Sequence, residues 1–133
     1  MEDELFEYVD AQEGLNALCD SLEAQREIAL DSEADNLHHY ETKLCLLQMR
    51  FEDRTYLLDM LVDVDYSRFW ETLKRLHLIM HGSDFDLRLF REFSDFRATS
   101  IFDSMLASQL LGINRFGLAA LLEEHFNVKL PKD

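Results

Sequence analysis

Apolar residues recur along this chain with two spacings, one typical of strands and one typical of helices. Short apolar runs between polar turns predict strands, and apolar residues spaced three and four apart predict amphipathic helices, as in Leu15, Leu18, Cys19 and Leu22. Strands are predicted at 5–9, 27–33, 44–51, 55–58 and 78–81, and helices around 15–22, 66–76, 84–93, 104–111 and 117–126. This order predicts an α/β protein whose mixed central sheet is flanked by helices.

Several features of these elements predict how they pair and pack. The strands on either side of the polar turn 52–54 are expected to form an antiparallel hairpin, and helix 66–76 with its neighbouring strands implies parallel pairing. A loop is expected over 34–42. Asp84 is a candidate cap of the helix that it begins, with three residues facing the core: Leu87, Phe90 and Phe93. The last helix is expected to bury an apolar stripe formed by Leu118, Leu121, Leu122 and Phe126.

Two acids one residue apart end an apolar strand, in the sequence Ile-Ala-Leu-Asp-Ser-Glu at 28–33. Alternate residues of a strand point to the same face, so Asp31 and Glu33 are expected to lie close enough to share a hard cation. Asp86, after the second apolar run 78–82, is a third candidate ligand. An isolated Asp-x-Glu is usually a solvated strand end, so the interpretation as a site depends on its surroundings.

Composition and length place limits on the fold and the compartment. With 133 residues and 47% hydrophobic content, the chain is expected to form one domain over 1–133. It has no apolar stretch near the roughly 18 to 20 residues of a membrane helix and no basic, apolar leader, so a soluble, intracellular and cytoplasmic protein is expected, with no membrane partner. Cys19 and Cys45 lie within apolar patterns and are expected to be buried, reduced thiols.

The net charge of -14 argues at first against a polyanionic partner. Most of this charge is local, because residues 1–35 carry a net of -11 and residues 36–133 a net of -3. An enzyme that binds phosphates through divalent ions tolerates such a charge, since its carboxylates attract the metals and the metals meet the phosphates.

Four segments carry a resemblance to one family. Residues 28–40 resemble the first motif of ribonuclease D-like 3'-5' exonucleases, members of the DEDD superfamily, and its Asp-x-Glu pair corresponds to Asp31 and Glu33. Residues 80–89 resemble the second motif, whose acid corresponds to Asp86 and not to Asp84. Residues 102–112 and 117–133 are similar to the segments that follow. The motifs stand in family order from about Tyr8 to the last residue.

The resemblance implies a ribonuclease H-like fold and hydrolysis that releases nucleoside monophosphates from the 3' ends of RNA or DNA. In a two-metal site, Asp31 would be shared, Glu33 would bind the metal on the nucleophile side, and Asp86 would support the other metal. Mg²⁺ or Mn²⁺ suits carboxylate ligands better than zinc does. His38 and Gln48 are candidate substrate contacts, although a loop histidine and a polar strand residue need no such role.

The sequence departs from the family pattern in one respect. The family's third motif, Tyr-x-x-x-Asp or His-x-x-x-Asp, does not occur here, so we expect a domain that is incomplete at its C-terminus and weak or inactive alone. An apolar surface exposed by this loss would favour self-association or a partner chain. Two alternatives to an exonuclease domain stay open: a non-catalytic module that binds nucleic acid or protein, and a subunit completed in trans.

Overall fold

A computed structural model describes residues 6–35 and 42–130 of the chain. Six strands and five helices lie along these residues. The strands are β1 (Phe6–Val9), β2 (Glu27–Asp35), β3 (Lys43–Phe51), β4 (Arg54–Asp59), β5 (His77–Met80) and β6 (Ser100–Asp103). The helices are α1 (Gln12–Glu23), α2 (Ser67–Lys74), α3 (Ser83–Ser94), α4 (Ser104–Leu110) and α5 (Leu118–Phe126). The predicted α/β class is confirmed.

The six strands form one mixed sheet in the order β1-β4-β3-β2-β5-β6. The predicted hairpin is confirmed: β3 and β4 are antiparallel, and their turn places Glu52 and Asp53 at φ 51° and 59°. These left-handed conformations match the twist of a two-residue hairpin. Parallel pairing at β5 is also confirmed, but its partners are β2 and β6, because β2 and β3 separate it from β4.

The core lies on one face of the sheet. Side chains of β2, β3 and β5 that point to this face are buried, and α1, α2 and α3 contribute buried side chains to the same cluster. On the other face of β2 and β3, Ala29, Asp31, Gln48 and Arg50 are exposed. Burial therefore fixes the orientation of β2, because a slip of one residue would turn its acids into the core.

The structure corrects several details of the sequence prediction. Strand β6 was not predicted, because its four residues are recognised as a strand only by their pairing with β5. Strand β2 continues to Asp35, where a loop was expected. The apolar stripe of α5 is not core: Phe126 is 72% exposed, and this helix has no buried residue. Phe93, which was expected to face the core, is 38% exposed.

The expected cap and one of the thiols also differ from prediction. Asp84 does not cap α3; it pairs instead with Arg88 one turn on, and Gly82 occupies the N-cap position at φ 70°. Cys19 is buried and Cys45 is half-buried, and both are free thiols. Among the helices of the described part of the chain, none combines the length and apolar character required to span a bilayer.

Candidate active site

Strand β2 positions the first two candidate acids. Asp31 and Glu33 are alternate residues of this strand, and both side chains are exposed, whereas Ile28 and Leu30 before them are buried. The pairing of β2 with β3 shifts register directly after Glu33, and such irregularities re-aim the side chains next to them. The predicted placement of both acids on one face of the strand thus agrees with the pattern of burial.

The third candidate acid, Asp86, lies in the first turn of α3 and is only 7% exposed. The hydroxyl of Ser32, between the two β2 acids in sequence, donates a hydrogen bond to Oδ1 of Asp86. Burial raises the pKa of Asp86 above its usual value, the Ser32 bond opposes that rise, and the negative charge of Asp31 adds to it. Asp86 and Asp31 are therefore near enough to repel each other.

Two side chains that contact the candidate acids or their helix were not predicted from the sequence. Ser32 was not singled out because only the fold shows that it meets Asp86. Asp103 accepts hydrogen bonds from the N-termini of both α3 and α4. An Asp directly before a helical run is a recognisable N-cap signal, so its role at α4 was detectable in the sequence, but its contact with α3 was not.

A cavity of about 400 Å³ opens beside Asp31, and neither Glu33 nor Asp86 lines it. Asp31 and Gln48, which are paired residues of β2 and β3, both line it. His81 and Ser104 line another part, with Nδ1 of His81 2.8 Å from the Ser104 hydroxyl oxygen. Gln48 is thus next to a candidate acid and within a concave surface, whereas the predicted contact His38 lies outside the described residues.

The donor chemistry fits a hard divalent cation, because the three acids offer only carboxylate oxygens. The geometry is less complete. Over residues 6–35 and 42–130, no three His, Cys, Asp or Glu side chains are grouped so that they could hold a metal ion. Asp31 and Asp86 are thus near each other, whereas within the described residues no contact joins Glu33 to either of them, and the assignment of the three acids as ligands stays a prediction.

Comparison with known proteins gives a family match over almost the whole chain. The family model described as 3'-5' exonuclease matches residues 6–133. Ribonuclease D of Shewanella sp. (strain ANA-3) is 31% identical over 122 residues, which are 90% of this chain and 31% of that protein. The exosome complex exonuclease RRP6 of Saccharomyces cerevisiae is 28% identical over 128 residues, 94% of this chain and 18% of that protein. The chain thus spans less than a third of these relatives.

Solved structures show the same fold. The catalytic core of RRP6 from Trypanosoma brucei superimposes with a TM-score of 0.88 at 25% identity, covering 96% of this chain and 36% of that one. Ribonuclease D from Trypanosoma brucei in complex with RNA U12 gives a TM-score of 0.82 at 19% identity, covering 96% of this chain and 49% of that one. The predicted ribonuclease H-like arrangement is confirmed by these superpositions.

Proposed function

Since this chain belongs to the 3'-5' exonuclease family, as a domain of ribonuclease D type, we propose that it hydrolyses the terminal phosphodiester bond at the 3' end of RNA or DNA with the help of Mg²⁺ or Mn²⁺. Its partner would be a nucleic-acid 3' end. The RNA-bound ribonuclease D among the fold neighbours makes RNA the first substrate to test.

One observation carries this proposal. Asp86 is a buried carboxylate whose pKa is raised by burial and by neighbouring Asp31, and no Lys or Arg among residues 6–35 and 42–130 forms an ion pair with it. Buried acids with perturbed pKa values and a nearby acid are typical of functional sites. Asp86, together with Asp31 and Glu33, would hold a divalent cation that supplies the compensating positive charge.

Each residue of the site would have a distinct role. Bound ions would polarise the phosphate and provide a nucleophile at neutral pH. Asp31, Glu33 and Asp86 would hold these ions, and Ser32 would orient the Asp86 carboxylate. Gln48, which lines the cavity next to Asp31, would contact the terminal nucleotide. His38 is proposed as a further contact.

We propose a low rate for residues 1–133 acting alone. The sequence has no Tyr or His four residues before an Asp, so it offers no side chain of that motif to orient the attacking water. A positioned acid or base contributes roughly 10² to 10⁴-fold to a rate. The reaction should therefore be measured with excess enzyme and long incubation.

The proposal is tested by incubating the chain with oligonucleotides labelled at the 5' end, one RNA and one DNA, in the presence of Mn²⁺. We expect stepwise shortening from the 3' end that is lost in Asp31→Ala, because this change removes a carboxylate from the site. Asp63→Ala is the matched control, since Asp63 is an exposed acid in the β4–α2 connection. Equal shortening by Asp31→Ala and the parent chain would refute the proposal.

We also propose that the chain self-associates through its C-terminal apolar surface. This surface comprises the exposed large apolar side chains that follow α3 in the sequence, namely Phe102, Leu106, Leu110, Leu111, Leu118, Phe126, Val128 and Leu130. Monomeric proteins rarely expose large contiguous apolar patches, and such patches mark interaction sites.

A further inference from the structure

One carboxylate joins the beginnings of two helices. Oδ1 of Asp103 accepts hydrogen bonds from the backbone N–H of Gly82, Met105 and Leu106, at 2.9, 2.9 and 3.2 Å. Oδ2 accepts from both the backbone N–H and the hydroxyl of Ser83, each at 2.7 Å. The side chain of Asp103 therefore satisfies donors at the start of α3 and of α4 at once.

Helix α3 depends on this distant residue for its capping. Its own N-cap is Gly82, which has no side chain, and Asp84 in its first turn is directed to Arg88. Helix N-termini leave four backbone N–H groups without intrahelical partners. Asp103, about twenty residues further along the chain, accepts from N–H groups at this end of α3.

The first turn of α3 is also the turn that carries Asp86. Ser83 and Asp86 are three residues apart, so they lie on the same side of the helix, one turn from each other. Ser83 is anchored to Asp103, and Asp86 is anchored to Ser32 of β2. A shift of this turn would change the separation between Asp86 and the β2 acids.

Asp103 does not itself reach the cavity that Asp31 and Gln48 line. Its neighbour Ser104 does, and Ser104 contacts His81 and the carbonyl oxygen of Met80 at the end of β5. Hydrogen bonds of Asp103 and Ser104 thus link β5, α3, β6 and α4 where they meet next to the cavity.

We propose that Asp103 is a positioning residue of the nuclease site: by holding the first turn of α3 it sets the place of Asp86 relative to Asp31 and Glu33. This inference rests on the proposed function. It distinguishes Asp103 from a residue that only stabilises α4, because it predicts an effect on metal binding as well as on folding. Mutation of a group that orients a metal ligand typically lowers metal affinity or activity by about 10 to 100-fold.

The test compares the parent chain with Asp103→Asn and with Ala107→Gly. The asparagine keeps the shape but replaces one acceptor oxygen by an N–H₂ donor, so bonds to α3 or α4 must be lost. The glycine weakens α4 in its interior and leaves the Asp103 contacts in place. Mn²⁺ binding is measured from the spin-resonance signal of the free ion, and amide hydrogen exchange is measured over residues 83–86.

We expect Asp103→Asn to weaken Mn²⁺ binding roughly 10-fold and to speed amide exchange in the first turn of α3. Ala107→Gly should change neither, although it lowers the midpoint of thermal unfolding. If Asp103→Asn does not fold, Ser83→Ala, which removes one of the five bonds, should show a smaller change in the same direction.

The outcomes separate this inference from the proposed function. The positioning role would be overturned, and the nuclease proposal would survive, if a folded Asp103→Asn bound Mn²⁺ and exchanged its amides as the parent chain does. Where Asp103→Asn does not fold, the same result for Ser83→Ala would overturn it. An equal loss of Mn²⁺ binding in Ala107→Gly would reduce Asp103 to a stabilising residue. A parent chain that neither binds Mn²⁺ nor shortens an oligonucleotide would refute both.

Discussion

At the scale of single residues, the pKa values of two carboxylates near the site are shifted in opposite directions. Burial raises the pKa of Asp86, and the opposing Ser32 bond does not cancel it. Burial also raises the pKa of Asp103, but hydrogen bonds from the N–H groups of Ser83 and Gly82 and from the Ser83 hydroxyl outweigh it and place that pKa well below its usual range. Hydrogen bonds therefore stabilise the charged form of Asp103 against burial, whereas at Asp86 the effect of burial is the larger one.

This contrast predicts the effect of Asp86→Asn on stability. A folded pKa above the unfolded value makes a favourable contribution below the unfolded pKa of about 4, and this contribution is lost as pH rises through the folded pKa. At pH 7, charged Asp86 thus destabilises the fold, and asparagine removes that cost while still accepting from Ser32. Calorimetry should show a higher midpoint of unfolding at pH 7 and little gain near pH 3.5.

The same substitution should lower the rate of 3'-end shortening by on the order of 100-fold, as expected for loss of a group that orients or holds a metal. Asp84→Asn is the matched control on α3, because Asp84 is exposed and pairs with Arg88. It should raise neither the midpoint nor the amount of uncleaved substrate. A lower midpoint for Asp86→Asn at pH 7 would mean that the buried charge is already compensated.

At the scale of elements, the helices divide into two groups. The first three contribute side chains such as Leu22, Phe69 and Phe90, which are 0% exposed, to the core beside the sheet. The last two contribute none of the apolar side chains in that core. The stability of the fold should therefore depend on α1 to α3 far more than on α4 and α5.

A pair of leucine-to-alanine changes tests this division. Leu73→Ala in α2 removes a side chain that is 0% exposed and should cost about 2 to 5 kcal/mol of unfolding free energy. Leu110→Ala in α4, where the leucine is 80% exposed, should change it by no more than about 0.5 kcal/mol. Urea denaturation of both variants gives the two values. Similar costs would show that α4 is packed in solution.

The sequence predicted elements whose signals are local. The helix at Leu15 to Leu22, the hairpin around Glu52 and the alternation that places Asp31 beside Glu33 all follow from spacing along one segment. Strand β6 was missed because its four residues are defined by pairing with β5, and the cap of α3 was assigned to Asp84 because the true acceptor, Asp103, is remote in sequence. The stripe of α5 has helical spacing, but spacing alone does not say whether a neighbour covers it.

For the candidate site, residue types were easier to predict than contacts. A resemblance in sequence order selected Asp86 over Asp84, and the structure shows Asp86 buried and Asp84 in water. The bond from Ser32 to Asp86 joins residues 54 positions apart, so only the fold brings them together. The same holds for the cavity shared by Gln48 and His81.

At the scale of the whole molecule, charge and exposed apolar surface act against each other. The formal net charge of -14 keeps copies apart at low ionic strength. The C-terminal apolar surface favours association, with Leu110 and Leu111 80% and 79% exposed. Added salt screens the repulsion, since the Debye length falls from about 10 Å at 0.1 M to about 3 Å at 1 M. Apolar burial is not weakened in this way.

The chain should therefore form dimers or larger species whose fraction rises with protein concentration and with salt. Light scattering on the parent chain should show this rise, and Leu110→Glu combined with Leu111→Glu should reduce it, because burying two added carboxylates is unfavourable. Leu61→Glu is the matched control, since Leu61 is a 56% exposed leucine in the β4–α2 connection and is not one of the residues of this surface. A monomer at high concentration in 0.5 M salt would contradict the proposal, and equal effects of Leu61→Glu and the double variant would assign the association to charge instead of to the C-terminal apolar surface.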